Sequence, residues 1–360
     1  MAIDINYLET LSAAEIDMIN AYIYELYRNK VNHNTENYEN LKDEVRCCPH
    51  CGSVRIVKNG FNPKRRQKYR CKECRSVFLP TTGTLFTHSK VTYAIWTQFI
   101  ACEINGLSLS EEAVATGLTR TTCFSMRHKL YSAVPQLKEH QLSGQIELDP
   151  VYAEINLKGT KAQNMPRLRK KRGLSKKSTG ELRGISHHKV CIISAIDEND
   201  NILLKIAGIG VERKEYLDKY AKYFKPGSEC IVDEKRCLET FAMEHGMKAD
   251  VIPTTAFKSR KGRTLADINQ IHQSISDLQR RKHGVSLRHL QGYLDWLVFC
   301  KYLRYRIKDT RRKVESYMTV MVKQILFTTR QVCLLHMPVD LSLAYDGEIS
   351  PKLRFHQLFA

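Results

Sequence analysis

The chain has 360 residues, of which 42% are hydrophobic and 26% are charged, a composition typical of a globular protein with two or three domains. Its formal net charge of +19 favours a polyanionic partner, with nucleic acid ahead of an anionic membrane surface. The sequence has no apolar run near the roughly 20 residues of a membrane span and no opening signal peptide, so we expect no membrane attachment. The twelve cysteines then indicate a reducing cytoplasm, where thiols bind zinc.

Residues 1–44 are predicted to form one helix followed by a polar linker. Ser12 and Glu15 have the spacing of a capping box, and isoleucines recur at helical intervals after them. We assign no chemistry to this segment.

Residues 45–80 contain two CxxC pairs. The pairs, Cys48 with Cys51 and Cys71 with Cys74, have the spacing of a tetrahedral site for one structural zinc ion. Strand-like sequence between them predicts a zinc ribbon, and the alternative is a set of unrelated cytosolic thiols. Basic residues between the pairs, among them Arg65 and Arg66, are predicted to bind DNA phosphates.

Residues 88–137 have the pattern of a helix-turn-helix DNA-binding domain. A short helix near Leu109 is followed by a turn at Gly117 and a second helix that begins at Arg120. We expect the second helix to bury three apolar residues and to present a polar face to DNA. The apolar residues are Phe124, Leu130 and Val134, and the polar ones are Arg120, Thr121, Thr122, Ser125, Arg127, His128 and Lys129. The alternative is a three-helix packing unit with a solvated polar face.

Residues 144–305 alternate between strand and helix patterns in the order β-β-β-α-β-α-β-α. This order predicts an α/β domain of the ribonuclease H-like fold, a mixed sheet with helices on both faces. In that fold the first and fourth strands are neighbours, and here those strands end at Asp149 and Asp233. The two carboxylates are therefore expected to lie close together.

The order of these features resembles bacterial insertion-sequence transposases of the DDE superfamily, in their zinc-ribbon group. The resemblance covers roughly residues 45–305 and rests on the two modules above together with four short motifs. These motifs are Ile146 to Tyr152, Ile231 to Asp233, Asn269 to His272 and His289 to Leu294.

What the resemblance implies is a metal-dependent enzyme that cleaves and joins DNA strands. The family's two aspartates match Asp149 and Asp233, and its third metal ligand, commonly Glu, matches His272. Catalysis would use Mg²⁺ or Mn²⁺, and the imidazole would bind magnesium less well than a carboxylate does. The expected partner is double-stranded DNA at element ends and target, bound by a homo-oligomeric synaptic complex near the bacterial nucleoid.

Each of these residues also has a structural interpretation. Asp149 before Pro150 is a common turn opener, and Asp233 could cap the helix that follows it. Asp277 and Glu147 are alternative ligands by helix and strand spacing. The chain also departs from the family pattern where Pro150, Ile275 and Trp296 replace an acidic, an aromatic and a glutamate residue, which leaves open a catalytically inactive or domesticated DNA-binding regulator.

Three further segments are basic or terminal. An insertion at residues 158–189 carries many cations and is expected to order on DNA, with Arg169, Lys170, Lys171 and Arg172 as phosphate contacts. A second basic loop, residues 258–263, is a lesser candidate for the same role. Residues 306–360 are predicted to form a helical tail without a recognisable motif.

Overall fold

We describe the protein from a computed structural model. It describes residues 45–158 apart from 64, 84, 85, 88, 133 and 135–140, residues 189–306 apart from 283, and residues 335 and 337–341. Several predicted segments lie outside these residues: the N-terminal helix and linker, most of the basic insertion, and most of the C-terminal tail. The predicted phosphate contacts of the insertion also lie outside them, namely Arg169, Lys170, Lys171 and Arg172. Within the described part, residues 45–123 form one compact unit, and residues 124–306 with 335 and 337–341 form another.

The first unit begins with a small antiparallel sheet. Its strands are β1 (Ile56–Phe61), β2 (Gln67–Cys71) and β3 (Val77–Phe78), in the order β1-β2-β3. Alternation along β2 buries Tyr69 and Cys71 on one face and leaves Arg70 exposed on the other. Tyr69 stacks on Phe78 of β3, with ring centroids 5.9 Å apart, so the module has a core of its own.

Three helices follow the sheet. They are α1 (Tyr93–Ile104), α2 (Leu109–Thr116) and α3 (Arg120–Tyr131), of which α3 continues into the second unit. Ser108 and Glu111 form a capping box at the start of α2, and Gly117 ends it in the left-handed conformation with φ of 68°. The chain therefore has the predicted sequence of helices and turn, whereas a DNA-binding role for it stays a prediction.

The second unit contains a mixed sheet. Its strands are β4 (Gln145–Leu148), β5 (Val151–Glu154), β6 (Lys189–Asp197), β7 (Ile202–Ile209), β8 (Glu229–Asp233) and β9 (Lys248–Ile252). β6 pairs antiparallel with β4, β5 and β7, while β8 pairs parallel with both β4 and β9. This mixed α/β architecture is compatible with the predicted ribonuclease H-like core.

β5 was not among the predicted strands. Leu148 faces Ala195 of β6 and Val151 faces Ile192, and between them the Asp149 backbone N–H donates to the Ser194 carbonyl at 3.1 Å. β4 and β5 therefore continue one another along β6. The break falls at Pro150, which has no N–H to donate to the ladder.

Helices cover both faces of this sheet. They are α4 (Lys214–Asp218), α5 (Arg236–Glu244), α6 (Ala266–Arg281) and α7 (Leu287–Arg306). α5 packs Leu238 and Phe241 into one buried cluster with Ile146 and Leu148 of β4. Glu147 points to the opposite face by strand alternation, and there its carboxylate accepts a hydrogen bond from α6.

The chain between β7 and β8 forms one short helix and a turn. α4 ends at Asp218 and a 3₁₀ turn covers Ala221–Tyr223. The Tyr216 and Tyr220 hydroxyls donate to the carbonyls of Ile209 and Ile206 on β7, at 3.1 and 2.6 Å. Two tyrosines anchored to the sheet thus favour local turns over a continuous helix. In the described part of the chain, no helix is long and apolar enough to cross a membrane.

Candidate metal centre and active site

The four predicted zinc ligands meet at one point. The sulfurs of Cys48, Cys51, Cys71 and Cys74 all lie within 4.8 Å of one another, and two pairs of them are 3.6 Å apart. Zinc–sulfur bonds of about 2.3 Å place neighbouring sulfurs of a tetrahedron about 3.8 Å apart, so this donor set fits zinc.

The two halves of the cysteine site have the same local geometry. The Cys48 N–H donates to the Ser53 carbonyl at 2.8 Å, and the Cys71 N–H donates to the Ser76 carbonyl at 3.0 Å. Gly52 and Arg75 occupy equivalent positions and both have positive φ, of 74° and 59°. Glycine adopts this conformation at little cost, whereas arginine pays a steric penalty for it.

Asp149 and Asp233 lie side by side because their strands run parallel. Leu148 of β4 is in register with Val232 of β8, so the next residue of each strand is an aspartate. Both residues stand at the edge formed by the carboxyl ends of β4, β8 and β9, which we call the carboxyl edge. The structure thus brings the two predicted aspartates to one place.

His272 reaches the same edge from α6. Its Nε2 lies 3.1 Å from the Asp149 carbonyl oxygen and 2.8 Å from Ser194 Oγ, which itself donates to that carbonyl. A carbonyl oxygen only accepts, so Nε2 carries a proton, and when the ring is neutral Nδ1 carries the lone pair. Nδ1 lies 3.8 Å from Asp149 Oδ2.

This pair of atoms is suited to share one cation. Two ligand atoms that each lie about 2.1 Å from an Mg²⁺ ion can be at most about 4.2 Å apart. The distance between His272 Nδ1 and Asp149 Oδ2 is below this limit. A histidine whose second nitrogen donates to a carbonyl is the usual arrangement of a metal ligand. Among the described residues, however, Asp149, Asp233 and His272 do not bring three ligand atoms within 4.8 Å of one another, as the cysteines do.

Sequence reasoning missed two charged residues of this edge. Lys235 Nζ lies 3.5 Å from Asp149 Oδ1 and 3.1 Å from Glu212 Oε1. The Glu212 side chain is only 4% exposed, and Tyr152 donates its hydroxyl hydrogen to it. Lys235 stands two residues after Asp233, so its position in the sequence could have suggested that it lies at the carboxyl edge. Glu212 follows β7, and no local sequence pattern indicates that it belongs to this edge.

The charges of the edge influence one another. Burial raises the pKa of Asp149 above its ordinary value, and Asp233 adds to this effect, while Lys235 and His272 oppose it. Burial also lowers the pKa of His272, against the opposing effect of Asp149, and so favours the neutral ring. For Lys235, burial alone lowers the pKa, but the carboxylates of Asp149 and Glu212 outweigh it and raise the value.

The alternative ligands have other partners. Glu147 Oε2 accepts the Ile268 backbone N–H at 2.8 Å and so caps the first turn of α6. Asp277 accepts hydrogen bonds from Arg280 at 2.8 Å and from Gln273 at 3.2 Å on its own helix. These contacts favour structural roles for both carboxylates.

The residues predicted to contact DNA differ in how exposed they are. Arg65 and Arg120 are exposed, and Arg66 is half-buried in the turn between β1 and β2. Arg127 and Lys129 are buried, contrary to the prediction that α3 presents them to DNA, and burial lowers the pKa of Lys129 to about 8.

The reason is that α3 packs on α7. The rings of His128 and His289 stack with centroids 3.9 Å apart, and Tyr131 stacks on Trp296 at 5.0 Å. Arg127, His128 and Lys129, predicted to meet solvent, are therefore inside. Leu130 and Val134 are buried as predicted, whereas Phe124, predicted to be inside, is 41% exposed.

In the second basic loop, cations are paired with carboxylates of the sheet. Glu229 forms ion pairs with Lys261 and with Arg263, the latter at 2.6 Å. Arg263 also lies 3.6 Å from Asp250 of β9. These two cations hold the loop on the domain, while Lys258 and Arg260 are exposed.

Comparisons with known proteins give a relative and a solved structure. No family model matches the chain. It is 28% identical over 134 residues to an uncharacterized protein in transposable element ISH50 of Halobacterium salinarum. The match covers 37% of this chain and 44% of the relative's length. A crystal structure of a pre-cleavage Mos1 transpososome aligns over 63% of this chain and 78% of its own, at 7% identity, and its TM-score of 0.18 is too low to carry an argument.

Proposed function

We propose that the chain is a DNA transposase of the DDE type, which binds the terminal inverted repeats of an insertion sequence and catalyses metal-dependent strand cleavage and strand transfer. The observation that carries the proposal is the meeting of Asp149, Asp233 and His272 at the carboxyl edge. The relative in transposable element ISH50 supports the same class of function.

Each side chain of the edge has a role in this proposal. Asp149, Asp233 and the Nδ1 atom of His272 would hold Mg²⁺ or Mn²⁺. When bound, two such ions activate the attacking oxygen and stabilise the leaving oxygen of an in-line displacement at phosphorus. Ser194 orients His272, and Lys235 supplies a cation beside Asp149 that can meet a DNA phosphate.

DNA recognition is assigned to other parts of the chain. The ribbon, with structural zinc and with Arg65 and Arg66, and Arg120 at the start of α3 would contact the element end. Arg169, Lys170, Lys171 and Arg172 of the insertion would contact phosphates near the cleaved bond. Arg127 and Lys129 are removed from this set because they are buried. Joining two ends requires at least two copies of the chain in a synaptic complex.

Strand cleavage and joining by the purified protein test the proposal. The substrate is a labelled duplex with the inverted repeat that flanks the gene, incubated with Mg²⁺ or Mn²⁺. We expect the wild type to cut and join it, while Asp149→Ala and Asp233→Ala bind it without cutting. Asp267→Ala, an exposed aspartate on α6, is the matched control and should remain active.

Two other results would replace the proposal. Specific binding by the wild type without any cleavage or joining would identify a DNA-binding regulator that has lost catalysis. Cutting of branched DNA without preference for the repeat would identify a structure-selective nuclease.

A further inference from the structure

Glu212 is a buried carboxylate at the carboxyl edge to which the proposed function gives no role. Its side chain is only 4% exposed, and it lies in the segment between β7 and α4, far along the chain from Asp149. A buried carboxylate is costly unless other groups pair with it. The groups that pair with Glu212 therefore indicate what it does.

The two oxygens of Glu212 have different partners. Tyr152 donates its hydroxyl hydrogen to Oε2, and the ammonium group of Lys235 lies 3.1 Å from Oε1. A tyrosine hydroxyl is a neutral donor, so it orients the carboxylate without cancelling its charge. Lys235 supplies the opposite charge.

The mixed sheet fixes where Glu212 stands relative to Asp149. Tyr152 belongs to β5, the strand that continues β4 beyond Asp149, and it is in register with Cys191 of β6. The backbone N–H of Asp149 donates to the carbonyl of Ser194, also on β6. One sheet thus positions Asp149 directly and Glu212 through the tyrosine.

Lys235 lies between these two carboxylates, which differ in their other contacts. Its Nζ atom is 3.1 Å from Glu212 Oε1 and 3.5 Å from Asp149 Oδ1. Asp149 also faces His272 and is a proposed metal ligand, whereas Glu212 contacts Tyr152 on its other oxygen. A divalent ion on Asp149 repels the ammonium group, and the charge of Glu212 attracts it.

We infer that Glu212 is a positioning residue, which accepts the ammonium group of Lys235 when a divalent ion binds Asp149. This inference rests on the proposed function, because it concerns the metal site of that function. Without the charge of Glu212, the lysine would keep its ion pair with Asp149 and oppose the ion there. Glu212 thus favours metal binding by acting on the lysine.

Mn²⁺ binding by four proteins tests the inference. They are the zinc-loaded wild type, Glu212→Gln, Lys235→Met and the double variant, and electron paramagnetic resonance measures free Mn²⁺. We expect Glu212→Gln to bind Mn²⁺ about fivefold to tenfold more weakly than the wild type. In the Lys235→Met background the same substitution should change the affinity by less than about twofold, because the lysine through which Glu212 acts is gone.

Three further variants make the measurement specific. Asp149→Ala removes a proposed ligand, so loss of binding in this variant assigns the signal to the carboxyl edge. Tyr152→Phe removes the donor to Glu212 but no charge, so it should weaken Mn²⁺ binding by less than Glu212→Gln does, and only while Lys235 is present. It also carries the test if Glu212→Gln does not fold.

Glu229→Gln is the matched control for the loss of a carboxylate. Glu229 also pairs with cations, but it begins β8, whereas Asp233 ends that strand. Removing its charge should therefore leave the Mn²⁺ affinity of the edge unchanged.

The results separate the inference from the function on which it rests. An equal loss of Mn²⁺ affinity on Glu212→Gln with and without Lys235 would overturn the inference, since Glu212 would then act on the ion directly. Unchanged affinity in Glu212→Gln would overturn it as well. In either case, cleavage and joining of element-end DNA by the wild type would leave the proposed function standing. A wild type that neither binds Mn²⁺ at the edge nor cuts DNA would overturn both.

Discussion

The ammonium group of Lys235 lies 3.5 Å from the Oδ1 atom of Asp149. Asp149 is therefore in contact with a cation of the protein itself, on the opposite carboxylate oxygen from His272. Glu212 holds the lysine in place from the other side, at 3.1 Å. A divalent ion that binds Asp149 must share the carboxylate with Lys235 or displace the lysine ammonium group towards Glu212.

Replacing this lysine should tighten metal binding. We expect Lys235→Met to bind Mn²⁺ about threefold to tenfold more tightly, because the competing cation contributes about 1 kcal/mol in a partly exposed ion pair. Titration of the protein with Mn²⁺, followed by electron paramagnetic resonance, measures the affinity without reference to activity. Lys225→Met, at an exposed lysine outside the edge, should leave it unchanged. Weaker Mn²⁺ binding by Lys235→Met would show that the lysine supports the site.

Replacing His272, the proposed third ligand, should change the preference between metals. His272→Glu adds a negatively charged oxygen donor, so we expect Mg²⁺ affinity to rise by about tenfold and the preference for Mn²⁺ to decrease. His272→Ala should weaken binding of both ions. Competition of Mg²⁺ against Mn²⁺ in the same assay gives the ratio. An unchanged ratio in His272→Glu would place the third ligand at another residue.

Removing one cysteine ligand should release zinc and abolish DNA binding. We expect Cys71→Ser to lose the single zinc ion, since the site requires four thiolates and Cys71 is fully buried. Hydrogen bonds from Ser76 lower the pKa of Cys74 to about 6, which favours the thiolate form that zinc requires. Metal content by atomic emission and DNA binding by mobility shift measure the two effects.

Cys47 provides the matched control for the zinc variant. It is exposed and lies outside the four-cysteine cluster, so Cys47→Ser should keep both zinc and DNA binding. Full DNA binding by zinc-free protein would contradict the assignment of recognition to the ribbon.

The stacked histidines should make the fold sensitive to acid. Burial lowers the pKa of His128 to about 3 and that of His289 to about 4, from an ordinary value of 6.5. As the pH falls below 6.5, the unfolded chain binds protons that the folded chain does not, so stability present above pH 6.5 is lost. At pH 5 the loss should be about 1–2 kcal/mol for each histidine.

Unfolding by urea at pH 7 and pH 5 measures this loss. His128→Phe should reduce the difference in the free energy of unfolding between the two pH values. His245→Asn, at a half-exposed histidine outside the stack, should leave it as in the wild type. A wild type equally stable at both pH values would contradict the expectation.

Local patterns along the chain were sufficient for most of the fold. The strands of the mixed sheet follow runs of buried apolar residues, as in Val190 to Ile196, and the four-cysteine cluster follows from cysteine spacing, because both are short-range patterns. The proximity of Asp149 and Asp233 was also foreseen, since it depends only on which strands are neighbours.

Contacts between distant elements decided the rest. A polar helix face that packs on another helix has no local sequence pattern that distinguishes it from a polar face in solvent. Arg127 and Lys129 of α3, which packs on α7, were therefore wrongly predicted to be exposed. Glu212 and Lys235 come together from the segments that follow β7 and β8, and the tautomer of His272 depends on a carbonyl 123 residues away along the chain. The amino-acid sequence thus determined which chemical groups stand at the end of each strand. Only tertiary packing set their partners, their burial and hence their charge.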